Sequence, residues 1–209
     1  MKSLAAVTFA TVALLAGCVS VSVGSADTPG LTYYVLADAR PAPVAAPAAA
    51  ASARLAIQGI GTDALADSIS VVFSRREGER AFYQFASWTE RPSRRLAQLA
   101  QQRLEAGGRF ASVTQLGQPV ATDWLLSLAL EKLVHDVSAT PGSAQVVLRA
   151  ELINRSDRRL VGQRTFIAAP PVAEAAAPAA VTAFATATAD VLDQLTPWVE
   201  ATVAANAGR

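Results

Sequence analysis

VVLRAELINRSDRRLVGQRTFI, residues 146–167, is the stretch whose pattern decides the fold class. Two apolar-rich runs, Val146–Ile153 and Leu160–Ile167, flank the polar turn Asn154-Arg155-Ser156-Asp157-Arg158-Arg159, which predicts an antiparallel hairpin. Upstream, Trp124–Val134 carries two signals. Its leucines at 126, 128 and 130 alternate like a strand, while LLSLALEKL is also built from good helix formers; the alternation favours a strand. Ser68–Ser74 and Arg80–Trp88 flank Arg75-Arg76-Glu77-Gly78-Glu79 as another hairpin, with Ile69, Val71 and Phe73 expected on one face of its first strand. Leu31–Ala37, Arg54–Gln58 and Phe110–Leu116 read as three further strands, and in the second Leu55 and Ile57 alternate with polar neighbours.

Two segments read as helices. In Arg91–Ala106, Pro92 sits near the start, Leu96, Leu99, Ala100 and Leu104 form one stripe, and Gly107-Gly108 stops the run. Residues 179–204 align Phe184, Ala187, Val191, Leu195 and Trp198, and Pro197 inside them predicts a kink or a restart. Strands with two separated helices and few parallel crossovers predict an α+β fold: a two-layer sandwich, mainly antiparallel, with both helices on one sheet face. Residues 40–53 (RPAPVAAPAAAASA) read as an exposed loop between two strands, and 168–180 (AAPPVAEAAAPAA) as the connection from the last strand to the last helix.

The amino terminus carries a different message. Met1-Lys2-Ser3 is basic and Leu4–Leu15 is uncharged and mostly apolar, as in the core of an export signal. The run is too short to span a bilayer, which takes about 20 apolar residues. Leu15-Ala16-Gly17-Cys18 resembles the bacterial lipobox. Residues 1–17 are therefore expected to be a lipoprotein signal peptide, with Cys18 becoming the N-palmitoyl, S-diacylglycerol cysteine that begins the mature chain. Cys18 is the only cysteine, so no intramolecular disulfide can form, and lipidation removes a lone reactive thiol. Each buried acyl methylene contributes about 0.8 kcal/mol, so two or three chains anchor firmly. Residues 18–30 are a small, polar, glycine-containing tether, and 31–206 are expected to form one domain. Val19 stands where an aspartate would retain a lipoprotein on the inner membrane, so the expected location is the outer membrane, facing the periplasm.

Charge and chemistry narrow the role. With 18 basic and 17 acidic residues, the chain has no general attraction for nucleic acid or anionic membrane. His135 is the sole histidine; a zinc site would need carboxylates around it, and although Asp136 is adjacent, no GxSxG elbow supplies a nucleophile. It reads as a half-buried polar residue of a strand. Gly59-Ile60-Gly61 lacks the third glycine or Lys-Ser pair of a phosphate loop and reads as a turn. Trp88, Trp124 and Trp198 read as core anchors, and Arg91, Arg94 and Arg95 as a solvated helix face. No catalytic, metal or cofactor-binding residue is expected, and binding is the default role.

Several landmarks together resemble a known family. They are Tyr33-Tyr34-Val35-Leu36, the segment Tyr83-Gln84-Phe85-Ala86-Ser87-Trp88-Thr89-Glu90-Arg91-Pro92, Gly108-Arg109-Phe110, the strand Leu128–Asp136 and the hairpin Val146–Phe166. The chain resembles the ABC-type transport auxiliary lipoproteins, similar to paraquat-inducible protein C, which accompany mammalian-cell-entry (MCE) lipid-transport proteins. The Pro/Ala segments at 40–53 and near 170–178 are departures confined to loops. The resemblance implies a periplasm-facing component of a transport system that moves lipids between the two membranes, with no catalytic residues to carry over; since an anchored domain can hold the MCE-domain protein of an inner-membrane ABC transporter against the outer membrane, the expected role is that of an adaptor. It leaves the oligomeric state open, a homo-oligomer included. Two other functions stay open: a lipid carrier with its own hydrophobic groove, and an outer-membrane barrel assembly lipoprotein, since such proteins also use small α+β domains.

Overall fold

The computed structural model describes residues 30–41, 43 and 52–207. Strands β1 (Thr32–Tyr34), β2 (Arg54–Gly61), β3 (Ser70–Ser74) and β4 (Ala81–Trp88) precede helix α1 (Pro92–Ala106). Then come β5 (Ser112–Gln115), β6 (Trp124–Asp136), β7 (Gly142–Asn154), β8 (Arg159–Ala168), β9 (Pro171–Val172) and helix α2 (Ala177–Asn206). The expected signal peptide, Cys18, the tether before Gly30 and residues 44–51 of the Pro/Ala loop lie outside the described residues.

Trp124–Val134 forms a strand, and β6 is the spine of a single nine-strand sheet. On one side it pairs antiparallel with β7 from Trp124↔Asn154 to Asp136↔Ser143, and β8 continues that order outward. The other side is shared. β2 runs parallel to its first half, from Leu55↔Trp124 to Gly61↔Leu130, while β3 runs parallel to its last two residues. β5 lies outside β2, and β4 and then β1 lie outside β3. The α+β class holds, but the sheet is more mixed than the sequence pattern suggests. Strands joined by tight turns (β3/β4, β6/β7, β7/β8) are antiparallel, whereas β1/β4, β2/β5, β2/β6 and β3/β6, joined through long connections, are parallel.

α1 packs on β2, β5 and β6, α2 packs on β7, β8 and β9, and the helices touch each other, so both cover one face. The covered face takes alternate residues: Leu126, Leu128 and Leu130 from β6, and Val146, Leu148, Ala150 and Leu152 from β7, all fully buried. Burying each leucine contributes about 1.5–3 kcal/mol. A bulge between Leu130 and Lys132 then shifts the alternation of β6, so Leu133 and His135 are buried where an unbroken period of two would have turned Lys132 inward. Trp88 and Trp124 are buried, with Trp88 edge-on to Phe184; Trp198 is partly buried, edge-on to Phe166.

Several local expectations need correction. β1 is shorter than Leu31–Ala37 because its partner, β4, ends at Trp88, opposite Tyr34. Ile69 does not share a face with Val71 and Phe73: the β3/β4 ladder jumps from Ser70↔Ser87 to Val72↔Phe82, Val71 and Val72 are both buried, and Ile69 is exposed. Residues 168–180 are not only a connection, since Pro171–Val172 pairs with β7 as β9 and α2 already starts at Ala177. α2 does not restart at Pro197; it continues to Asn206, although residue 197 has no amide hydrogen to donate to the Asp193 carbonyl.

Candidate functional site: the anchoring corner

The chain leaving β1 is fastened to both helices by charge. Arg103, on α1, has 9% side-chain exposure and holds Asp38, 5% exposed, through Nη2 to Oδ1 at 2.9 Å and through Nε to Oδ2. Its Nη1 donates to Asp193 Oδ1 on α2 at 2.6 Å. Arg40 closes the ring from the solvent side, donating to Asp193 Oδ2 at 2.8 Å and to Asp190. The Ala39 amide donates to the Ala185 carbonyl at 3.2 Å, and Arg95 Nε donates to the Leu36 carbonyl at 2.9 Å. Burial alone would raise the Asp193 carboxyl; the hydrogen bonds from Arg103 and Arg40 outweigh it and hold its pKa below the ordinary value. The hydrogen bond to Asp38 holds the Arg103 guanidinium firmly in its charged form.

None of Asp38, Arg40, Arg103, Asp190 or Asp193 stood out in the sequence, yet one signal was present. Arg103 falls on the stripe of Leu96, Leu99, Ala100 and Leu104, and a charge on an apolar helix face is kept there only when paired. Arg95 departs from the expected solvated face because it binds Leu36, while Arg91 and Arg94 remain largely exposed.

The Gly59-Ile60-Gly61 stretch is no turn; it is the end of β2. A Cβ on Gly59 would lie 2.2 Å from the Ser93 carbonyl oxygen, and one on Gly61 2.3 Å from Asp67 Oδ2. The two glycines let the start of α1 and the Asp67 side chain press onto the strand. Asp67 Oδ1 in turn accepts from the Ser93 amide at 2.9 Å, capping α1 from a loop because its own N-cap, Arg91, has no capping side chain.

His135 is fully buried rather than half-buried. Its Nδ1 lies 2.8 Å from Tyr83 Oη, and its Nε2 has no hydrogen-bond partner. Burial lowers its pKa, against the pull of Asp136. Phe73 packs against Tyr83, so the group ties the β3/β4 hairpin to β6. No group of three or more His, Cys, Asp or Glu side chains that could hold a metal occurs among the described residues.

The cavities lie at the periphery. A polar recess of about 570 Å³ is lined by Thr122, Asp123, Asn154 and Arg155 at one end of the sheet. A more apolar one of about 360 Å³ lies between Phe110 and Val203, where burial raises the Glu200 carboxyl against the opposing charge of Arg109. Between sheet and helices, Phe166, Phe184 and the buried leucines fill the space. Exposed aliphatic and aromatic side chains gather on and beside β1 (Leu31, Tyr33 and Val35) and on the helix-free side of β8 (Leu160 and Ile167). No described helix is long and apolar enough to cross a membrane.

A small α+β domain with its leading strand strapped to two helices is the class of protein these features define. The chain belongs to the family of ABC-type transport auxiliary lipoprotein components, whose model matches residues 34–196. A crystal structure of a Xanthomonas campestris protein has the same fold, with a TM-score of 0.75 at 23% identity, covering 85% of this chain and 99% of that one. An uncharacterized protein of known structure also shares it, with a TM-score of 0.62 at 13% identity, covering 81% of this chain and 99% of that one. Comparison with curated proteins gives no match. The family resemblance read from the sequence is therefore borne out, and the family is one of transport auxiliary components.

Proposed function

We propose that the protein is an adaptor of an ABC/MCE-type lipid transport system: residues 1–17 are removed, lipidated Cys18 and the tether to residue 30 anchor it to the outer membrane, and the domain 31–206 holds an MCE-domain protein from the periplasmic side. The observation that carries this reading is the strap of Asp38, Arg103 and Asp193, which fastens the segment following the tether to both helices. An adaptor must pass position from its anchor to its partner, and a loosely attached first strand would fray before it did so. The filled space between sheet and helices favours an adaptor over a lipid carrier. Co-purification in mild detergent tests the role: the tagged protein should retain an MCE-domain protein of its own cell, and reproducible failure to do so counts against the adaptor. Cys18→Ala should yield an unlipidated product, read by acyl labelling; normal labelling of that variant would remove the anchor from the proposal.

A further inference from the structure

We infer that β1 and its flanking residues form a bilayer-contact strip, with Leu31, Tyr33 and Val35 seated in the interfacial layer of the membrane that holds the anchor. The inference rests on the anchorage reading and adds to it a second point of membrane contact. Tyr33 is the middle residue of the edge strand and Leu31 and Val35 flank it at a two-residue spacing; Leu31, Tyr33 and Val35 are 50%, 63% and 52% exposed. Tyr34 and Leu36, at the alternate positions, pack into the core. Ile69 extends the strip: it is 53% exposed, and its carbonyl accepts hydrogen bonds from Ser87 Oγ and the Trp88 amide, residues that pair with Tyr33 and Tyr34.

Chain length selects the occupant. Residues 19–30 separate Cys18 from Leu31, and a flexible chain of that length spans roughly 17–21 Å. The strip thus begins where the tether ends, within reach of the acyl chains. From residue 19 to residue 37 the only charge is Asp27, so little opposes the approach to lipid. Facing water, an apolar edge strand invites association with other chains. Set at headgroup level, the same edge is satisfied, and a tyrosine places its ring and hydroxyl on the two sides of the boundary. The exposed aliphatics of β8 lie five strand spacings away, about 24 Å, and serve as the internal control.

The test uses the full lipidated chain in vesicles of phosphatidylethanolamine and phosphatidylglycerol with part of the acyl chains brominated. Tyr33→Trp is the reporter and Ile167→Trp, at an equally exposed site, the control; the parent protein supplies the signal of the native tryptophans. The expected result is quenching of the residue-33 reporter at least about twofold above the control. Adding Leu31→Ser and Val35→Ser should abolish that excess while the protein stays on the vesicles. Equal quenching at the two sites, with the protein retained, overturns the strip and leaves the anchor standing. Emission at residue 33 that shifts with protein concentration but not with bromine overturns it in favour of a contact between copies. Failure of retention with an unmodified Cys18 overturns the anchorage reading, and the strip with it.

Discussion

Arg103 and Arg54 each grip a carboxylate with two nitrogens of one guanidinium, but they do so in opposite surroundings. Arg103 and Asp38 are almost fully enclosed by α1, α2 and the chain after β1. Arg54 and Asp123, joined at 2.6 Å and 3.1 Å, have side chains 45% and 39% exposed. The two pairs also differ in what else holds their elements. β2 is registered along β6 and β5 by its own backbone, so the Arg54 clamp trims a connection already made. β1 has three paired residues, and beyond it the ion network is the main tie. A buried pair thus decides where a segment goes, whereas an exposed one mostly decorates a decision made by the sheet.

The strongest test of that contrast is Arg103→Ala, which strands Asp38 without its partner and should destabilise the full chain by about 3–5 kcal/mol in urea unfolding. A loss no larger than that of Arg54→Ala would erase the distinction. Replacing the pair together, Arg103→Met with Asp38→Leu, should recover most of the loss, because the desolvated charge is removed along with its partner.

His135 sharpens the comparison as a buried group with a hydrogen bond but no enclosing counter-charge. Its pKa is held below 6.5 in the fold, so the unfolded chain takes up the proton first. Stability should be complete above about pH 6.5 and decline as pH falls beneath it. His135→Gln should flatten that limb in a pH series of unfolding midpoints.

Asp193 acts in a lower window. Its pKa lies below the ordinary 3.8, so its contribution is present above that value and lost as pH falls through the folded-state pKa. Arg103→Ala should weaken this acid limb and leave the histidine limb intact. The smallest effect belongs to Arg54→Ala, whose midpoint shift should shrink further in high salt while that of Arg103→Ala persists.

Much of the fold was legible because burial imposes a period. The hairpin 146–167, the β6 alternation and the two helix stripes all announce which face is dry. What escaped were features made by elements far apart in sequence. The parallel pairing of β2 with β6 and the capping of α1 by Asp67 join residues that no local pattern connects. Gly59 and Gly61 looked like a turn because a glycine needed for close approach and one needed for reversal are spelled alike. The strap was half visible: Arg103 broke an apolar stripe, but nothing local named Asp38 or Asp193 as its partners. Cys18 stands apart, since its reading depends on a short motif and not on any packing.

The bulge in β6 sets the surface chemistry of half a strand in the way an inserted letter shifts a reading frame. Every residue after Glu131 is read in the other register: Leu133 and His135 turn to the helix-covered face, while Lys132, the buried Val134 and Asp136 take the opposite face and line a recess there with Ser74, Arg80 and Gln145. Were that one exposed glutamate to take a place in the ladder instead of bulging out of it, Lys132, Val134 and Asp136 would turn inward and Leu133 and His135 outward.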